Sequence, residues 1–97
     1  MHATAYCQYG TTASGTLTRR GIVAADPRVL PAGSLIRIKS PVRGYSGKYR
    51  VEDTGGEVKG HVVDIYVPDC ISAKRFGRRI VQVHLLRRGP DVQLAAK

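Results

Sequence analysis

The most informative stretch of this chain is Asp53-Thr54-Gly55-Gly56-Glu57-Val58-Lys59-Gly60-His61-Val62-Val63-Asp64-Ile65-Tyr66. Two of the seven acidic residues, Asp53 and Asp64, lie on either side of its glycine-rich loop. Apolar runs typical of β-strands flank that loop, so the two carboxylates can come close together in the folded chain. Paired carboxylates are the working groups of sites that cleave glycans. The stretch therefore predicts two strands and a candidate site between them.

The composition indicates one small basic domain. The 97 residues are 42% apolar, which suffices for a single core. No apolar run approaches the roughly 20 residues that cross a bilayer. Sixteen Lys and Arg residues give a net charge of +9. Such a charge favours a polyanionic partner, which can be nucleic acid, an anionic membrane surface or an acidic wall polymer. A solvated basic surface explains the charge equally well.

The two cysteines, Cys7 and Cys70, are far apart and match no metal-ligand spacing. In an exported domain they can form one disulfide, and the alternative is two small buried residues that never meet. The first residues contain no apolar stretch of a signal peptide. The chain is therefore either cytosolic or a mature domain with an added start methionine, and the sequence favours neither.

Short β-like runs divided by glycine and proline dominate the chain. One short helix is predicted over residues 73–76, with Ser72 as its N-cap and Gly77 as its end. A hydrophobic staple is predicted between Ile71 and Phe76. Six or seven short strands with one helix predict a mainly β fold, a closed or nearly closed barrel. The predicted strands cover residues 3–9, 22–25, 35–39, 49–52, 62–67 and 80–86.

Strand parity separates the side chains of the last part of the opening stretch. Alternation places Val63 and Ile65 on one face of their strand, and Asp64 and Tyr66 on the other. If the first face packs into the core, Asp64 looks outward from a wall that also carries an aromatic ring. An acid in the middle of such a strand is costly unless it is paired or used. A salt bridge to Lys59 or to an arginine is the alternative explanation.

Two further aspartates have structural and functional interpretations. Asp53 ends a strand before Gly55 and Gly56, where the backbone can approach a ligand; a plain turn with an Asx cap is the alternative. Asp26 follows a buried strand and precedes Pro27, which fits a turn cap or a position at the same end of the barrel as Asp53. Three aspartates suit Mg²⁺ or Ca²⁺, but the surrounding basic charge argues against a metal. No metal and no cofactor is predicted.

Eight short motifs follow one another along the chain: Ala5-Tyr6-Cys7, Thr12-Ala13-Ser14-Gly15, Gly21-Ile22-Val23-Ala24-Ala25-Asp26-Pro27, Leu30-Pro31-Ala32-Gly33-Ser34, Glu52-Asp53-Thr54-Gly55-Gly56, Val58-Lys59-Gly60, Asp64-Ile65-Tyr66 and Phe76-Gly77-Arg78-Arg79. In this order they resemble the 3D domain, a family named for its three aspartates and found in bacterial cell-wall proteins, including stationary-phase survival proteins. The chain is also similar to the catalytic barrel of MltA-type lytic transglycosylases and, more distantly, to RlpA-like and expansin-like barrels. The resemblance covers residues 3 to about 86.

The resemblance implies a fold, an activity and a set of residues. The fold is a small six-stranded double-psi β-barrel with one or two short helices, over residues 1–87, followed by a tail over 88–97. The activity is non-hydrolytic cleavage of peptidoglycan between N-acetylmuramic acid and N-acetylglucosamine. Asp64 is then the acid/base, with Asp53 and Asp26 as its partners. The implied substrate-binding residues are Tyr6, Thr12, Thr54, Gly55, Gly56, Lys59 and Tyr66.

The chain departs from the family at two positions, because Glu57 replaces a small neutral residue and His61 replaces Asn or Gly. The implied partners are peptidoglycan strands and anionic wall polymers, outside the cytoplasm, with the domain as a monomer. A non-catalytic wall-binding module, like expansin-like barrels, is the second hypothesis. A nucleic-acid-binding barrel is the third, and the sequence disfavours it because it has one Phe, no Trp and tyrosines concentrated near the carboxylates.

Overall fold

Seven strands and one helix form the domain in a computed structural model, which describes residues 1–55 and 58–90. The mainly β prediction is confirmed. No helix within the described residues has the length and apolar character needed to cross a membrane. The elements are β1 (His2–Tyr6), β2 (Ile22–Ala25), β3 (Leu35–Lys39), β4 (Gly47–Asp53), β5 (Val62–Tyr66), α1 (Cys70–Phe76), β6 (Arg79–Ile80) and β7 (Gln82–Arg87).

The strands pair in the order β6-β1-β5-β2-β4-β3-β7. Two of the pairs, β1 with β5 and β2 with β4, are parallel, and the other four are antiparallel. The prediction of six strands differs from the seven in the structure. Among the described residues β6 and β7 do not pair with each other, so the hydrogen bonding does not close the sheet into a barrel. The extra strand arises at Val81, which is buried and bonds to Met1 through its N–H and carbonyl, so the predicted run 80–86 divides in two.

The core forms around β2, all four residues of which are buried. On β5 the predicted alternation is confirmed up to Ile65, because Val63 and Ile65 are almost fully buried while Asp64 is only half-buried. It fails at Tyr66, which was predicted to face outward with Asp64 but is buried, with its ring packed against that of Tyr6. Isoleucine and valine are the residues expected at such positions, because their branched side chains pack well on a pleated surface. This packing fixes which face of β5 carries Asp64, since a shift of one residue would exchange the two faces.

The helix begins earlier than predicted. Asp69 is the N-cap, and its carboxylate accepts hydrogen bonds from the Ile71 N–H at 3.1 Å and the Ser72 hydroxyl at 2.7 Å. The prediction of Ser72 as N-cap was therefore wrong, because the acid three residues earlier satisfies the free N–H groups. The staple was also wrong, since Ile71 is 65% exposed. Gly77 ends the helix as predicted, with a φ of 64°.

Other boundaries differ by a few residues. The first strand ends at Tyr6 instead of at residue 9, and the next residue, Cys7, forms a disulfide with Cys70, with 5.1 Å between their Cα atoms. At the other end of the chain the Gly89 N–H donates to Ser34 Oγ at 2.9 Å. The boundary at residue 87 stays a prediction, and residues 91–97 of the predicted tail lie outside the described residues.

Candidate functional site

A cavity of about 300 Å³ lies over the outer face of β5. Five of the predicted site residues line it, and these include both acids of the opening stretch. Among the described residues, the lining consists of Tyr6, Gln8, Tyr9, Gly10, Thr11, Thr18, Ala24, Asp53, Thr54, Gly55 and Asp64.

The two carboxylates stand on strands that both pair with β2. Ala24 is the register partner of Asp64 on β5 and of Asp53 on β4. Two strand spacings therefore separate the two aspartate backbones, or about 10 Å. The methyl group of Ala24 fills little of the space between them, and this small residue leaves room for the cavity. The three-strand arrangement thus builds a floor with an acid on each side.

An irregularity in the β2–β4 pairing explains why Asp53 takes this place. Val23 pairs with Val51, but the next residue, Ala24, pairs with Asp53, so Glu52 is left without a register partner on β2. Bulges of this kind redirect side chains. Glu52 is buried and forms an ion pair with Arg19. Because of the bulge, the two consecutive acids face different surroundings. Glu52 pairs with Arg19, and Asp53 lines the cavity.

Asp64 is a half-buried acid with one hydrogen bond. The Thr4 hydroxyl, opposite it on β1, donates to its Oδ1 at 2.8 Å. Burial raises the pKa of Asp64; the Thr4 hydrogen bond opposes that rise and the charge of Asp53 adds to it. The predicted alternative of a salt bridge is not seen, because within the described residues no Lys or Arg lies within ion-pair distance of Asp64. A carboxyl of this kind can hold a proton and release it to a ligand.

Asp53 accepts two hydrogen bonds on one oxygen. The N–H groups of Ala13 and Thr54 both donate to its Oδ1, each at 2.9 Å. The bond to Thr54 reaches the next residue and not the second one on, so it is not the Asx turn of the structural interpretation. The bond to Ala13 ties the loop between β1 and β2 to the end of β4. Asp53 thus lines the cavity and also holds the loop between β1 and β2 in place.

Asp26 does not line the cavity. It is buried, and Arg28 donates to it from its backbone at 3.0 Å and from its guanidinium at 3.1 and 2.9 Å. The Gly60 N–H, two residues before β5, donates to its Oδ2 at 2.8 Å. These bonds, with that from the Arg28 side chain foremost, hold the pKa of Asp26 well below its usual range. Asp26 therefore anchors the chain segment that enters the strand carrying Asp64.

We expect Asp26→Asn to lower the melting temperature at pH 7 by several degrees. The folded pKa of Asp26 is depressed, so its stabilisation is complete above the unfolded pKa of about 3.9 and is lost as the pH falls through the folded value. The melting temperatures of wild type and variant, measured from pH 7 down to pH 2, should accordingly converge in acid. A constant difference over this range would contradict an electrostatic anchor.

The two tyrosines predicted to bind substrate lie in different places. Tyr6 lines the cavity, and its ring meets that of Tyr66 edge to face, with centroids 5.4 Å apart. The Tyr6 hydroxyl is buried and has no hydrogen-bond partner within the described part of the chain. Burial raises the pKa of Tyr6, and the charges of Asp53 and Asp64 add to the rise, so this hydroxyl keeps its proton. Tyr66 is buried and lines a second cavity.

The remaining predicted binding residues are dispersed. Thr12 is buried, and its hydroxyl lies 3.0 Å from that of Thr16, which in turn bonds to Glu52. Lys59 is exposed and does not line the cavity. Gly56 lies outside the described residues. The substrate-binding roles of all of these residues stay predictions.

Sequence reasoning missed two residues that shape the site, Thr4 and Ala24. A threonine in the first strand carries no signal of its own, because its link to Asp64 depends on a pairing across 60 residues. Ala24 resembles any small core residue in the sequence. As for metals, residues 1–55 and 58–90 contain no group of three or more His, Cys, Asp or Glu arranged to hold an ion.

We expect two substitutions to move the pKa of Asp64 in opposite directions. Thr4→Val removes the hydrogen bond that favours the ionised form, so the pKa should rise. Asp53→Asn removes a nearby negative charge while the amide oxygen can still accept from Ala13 and Thr54, so the pKa should fall. Carbon-13 NMR titration of the Asp64 carboxyl measures both. Shifts of the same sign in the two variants would refute this account of the site.

Three curated proteins of Bacillus subtilis (strain 168) are similar to this chain. The cell wall-binding protein YocH is 37% identical over 81 residues, 79% of this chain and 26% of YocH. The putative cell wall shaping protein YabE is 34% identical over 81 residues, 79% of this chain and 19% of YabE. The SPbeta prophage-derived uncharacterized protein YorM is 33% identical over 94 residues, 84% of this chain and 39% of YorM. The chain thus spans about a quarter of YocH and about a fifth of YabE.

Solved structures of MltA from Escherichia coli share the fold. The MltA crystal structure described as a unique lytic transglycosylase fold matches with a TM-score of 0.67 and 23% identity, over 84% of this chain and 28% of MltA. The complex of MltA with chitohexaose matches with a TM-score of 0.67 and 22% identity, over the same shares. The family comparison agrees with the resemblance drawn from the motifs, since the 3D domain matches residues 21–87. Because this match covers more than half of the sequence, the chain belongs to the 3D domain family.

Proposed function

We propose that this domain is a peptidoglycan lytic transglycosylase in which Asp64 is the catalytic acid and base. The observation that carries the proposal is the setting of Asp64, a half-buried carboxyl with a raised pKa in the wall of a cavity and with a second carboxylate across the floor. A general acid needs a pKa above that of an ordinary aspartate, and burial and the like charge of Asp53 move the pKa of Asp64 in that direction. The double-psi form of the barrel belongs to this proposal, and the MltA fold likeness and the two parallel strand pairs support it.

The reaction needs only one carboxyl that gives and then takes a proton. Protonated Asp64 donates to the glycosidic oxygen as the bond from C1 of the muramoyl residue breaks. The ionised carboxylate then accepts the proton of the muramoyl C6 hydroxyl, whose oxygen attacks C1. The C1–O6 bond that forms gives a 1,6-anhydro product, and the proton passes in effect from O6 to the leaving oxygen. No water is consumed, so no second base is required.

The other lining residues have supporting roles in this proposal. The negative charge of Asp53 favours the positive charge that develops at C1, and it also keeps the pKa of Asp64 high. Thr54 and the backbone of Gly55 hold the sugar. The Tyr6 ring forms part of the cavity wall, and the sugar packs against that wall. Asp26 acts through Gly60 and does not touch substrate.

The relatives support a wall substrate. Two carry printed names that refer to the cell wall, and the fold matches a transglycosylase that binds chitohexaose. The disulfide suits an oxidising compartment outside the cytoplasm, which we propose as the location. We further propose that residues 1–87 act as a monomer on glycan strands, with no nucleic-acid partner.

The test is incubation with purified sacculi and mass spectrometry of the soluble products. We expect anhydromuropeptides to accumulate with time. Products with ordinary reducing ends would show hydrolysis and overturn the transglycosylase assignment.

A wall-binding module is the second candidate, and the net charge of +9 favours it. Basic charge attracts acidic wall polymers, and one relative is named a cell wall-binding protein. Salt distinguishes the two candidates, because charge-driven binding weakens as ionic strength rises. Sedimentation with sacculi that is lost in salt, with no released fragments at any salt concentration, would select binding over cleavage.

A further inference from the structure

A second cavity, of about 310 Å³, lies on the other side of the tyrosine pair. Within residues 1–55 and 58–90, its lining contains two cations, three tyrosines and no acid. Tyr66 belongs to this cavity and Tyr6 to the first, so the two cavities share a wall of two packed rings. The lining residues are Arg20, Gly21, Gly44, Tyr45, Ser46, Gly47, Lys48, Tyr49, Ile65, Tyr66, Val67 and Ser72.

The shape of this cavity is held by buried groups. Ile65 and Val67 belong to the core and give an aliphatic floor. The Tyr49 hydroxyl donates to the carbonyl oxygen of Tyr45 at 2.9 Å, and the Tyr45 ring packs on Phe76 with centroids 4.4 Å apart. These contacts fix the aromatic walls before any ligand arrives, which lowers the entropic cost of binding.

The two cations of the cavity have no carboxylate partner within the described residues. Arg19, Arg28 and Arg50 form the ion pairs seen there, whereas Arg20 and Lys48 form none. The charge of Arg20 is felt inside the cavity, since it opposes the rise that burial causes in the pKa of Tyr49. A concave surface with unpaired positive charge and no acid concentrates anions.

We propose that this second cavity binds a carboxylate borne on an aliphatic stem, the chemistry of the amino acids in wall peptides, while the first cavity holds the glycan. Arg20 and Lys48 take the carboxylate, and the aliphatic floor takes the stem. The phosphate group of a phosphodiester polymer carries the same negative charge, but it gains less from contact with the apolar floor. The inference rests on the proposed action on peptidoglycan, whose glycan carries such peptides. Tyr6 lines the first cavity and Tyr66 the second, and their ring centroids lie 5.4 Å apart, so we assign the sugar and the peptide substituent of one ligand to the two cavities.

The experiment compares the binding of three probes by calorimetry at fixed ionic strength. The probes are a disaccharide-peptide that lacks the scissile bond, neutral chitohexaose and a phosphodiester wall polymer. The variant Arg20→Gln/Lys48→Gln removes both cations of the cavity. Its matched control is Arg37→Gln/Lys39→Gln, which removes the same charge from two exposed positions of β3 outside both cavities. Circular dichroism verifies that each variant is folded.

We expect the cavity variant to bind the disaccharide-peptide about tenfold more weakly, because it has lost charge-assisted hydrogen bonds. Its affinity for chitohexaose should be unchanged, because that ligand is neutral. The control should bind all three probes almost as wild type does. An equal loss in the control, no loss in the cavity variant, no binding of the disaccharide-peptide, or a loss confined to the phosphodiester polymer would each overturn the proposal. A failure to release anhydro products from sacculi would refute the proposed function alone, because the probes are not cleaved.

Discussion

Replacing Asp64 with asparagine is expected to lower the release of 1,6-anhydro products from sacculi about 10³-fold, within the range that a general acid contributes. Asparagine is nearly the same size and can accept the Thr4 hydrogen bond, but it cannot donate a proton to a leaving oxygen or take one from a hydroxyl. Because Asp64 performs both transfers in the proposed reaction, the variant loses both. The measurement is the initial rate of anhydromuropeptide release.

The stability of this variant separates a chemical loss from misfolding. The folded pKa of Asp64 is raised above that of an unfolded aspartate, so the ionised form is disfavoured in the folded state. Stability therefore declines as the pH rises through the unfolded pKa of about 3.9 towards the folded value, and the penalty is complete once the pH exceeds the folded value. Asp64→Asn removes that penalty, so its melting temperature at pH 7 should equal or exceed that of wild type.

The matched control is Asp69→Asn, which makes the same change at the exposed cap of α1. It should retain nearly full activity, because Asp69 lies outside the cavity. Unimpaired release by Asp64→Asn would remove this residue from its role. Equal losses in both variants would point to an effect of charge or of folding.

The pattern of burial along each strand could be predicted from the sequence because it is local. Alternation over Val63, Asp64 and Ile65 gave the correct face for each side chain, and the short run around Val23 gave a fully buried strand. These predictions needed only the period of two in an extended chain and the tendency of aliphatic residues to be buried. The two rules place the Asp64 side chain on the outer face of β5 without any knowledge of the residues that contact it.

The contacts that define the site could not be predicted because they join distant segments. The Thr4 hydroxyl reaches Asp64 through a parallel pairing of β1 with β5, and Asp26 reaches Gly60 across 34 residues. The position of Asp53 opposite Ala24 depends on a bulge, which the sequence does not mark. The two tyrosines look equivalent in the sequence, yet their packing against each other sends them into different cavities. Long-range pairing decided each of these cases.

The second large effect is expected from the loss of the Cys7–Cys70 disulfide. The double substitution Cys7→Ala/Cys70→Ala should lower the free energy of unfolding by about 4 kcal/mol, because the bond closes a loop between residues 63 positions apart and restricts the unfolded chain. Urea unfolding, monitored by circular dichroism, measures the change. For a domain of this size, such a loss is a large part of the total stability.

The disulfide also joins two elements next to the site. Cys7 follows Tyr6 at the end of β1, and Cys70 begins α1. The helix keeps other attachments to the core, since Ala73 and Phe76 are buried and Phe76 packs on Tyr45. We therefore expect the folded form of the variant to retain the helix, and the destabilisation to come mainly from the freedom that the unfolded chain gains.

Reduction provides an independent control. Reductant should destabilise wild type by the same amount as the double substitution and should leave the double variant unchanged, because only wild type holds the bond. If the double variant unfolds within about 1 kcal/mol of oxidised wild type, the chain-entropy account fails. If reductant destabilises both proteins equally, the effect does not come from this bond. If reduced wild type and the double variant have the same free energy of unfolding, the stabilisation comes from the closed loop and not from the exchange of cysteine for alanine side chains.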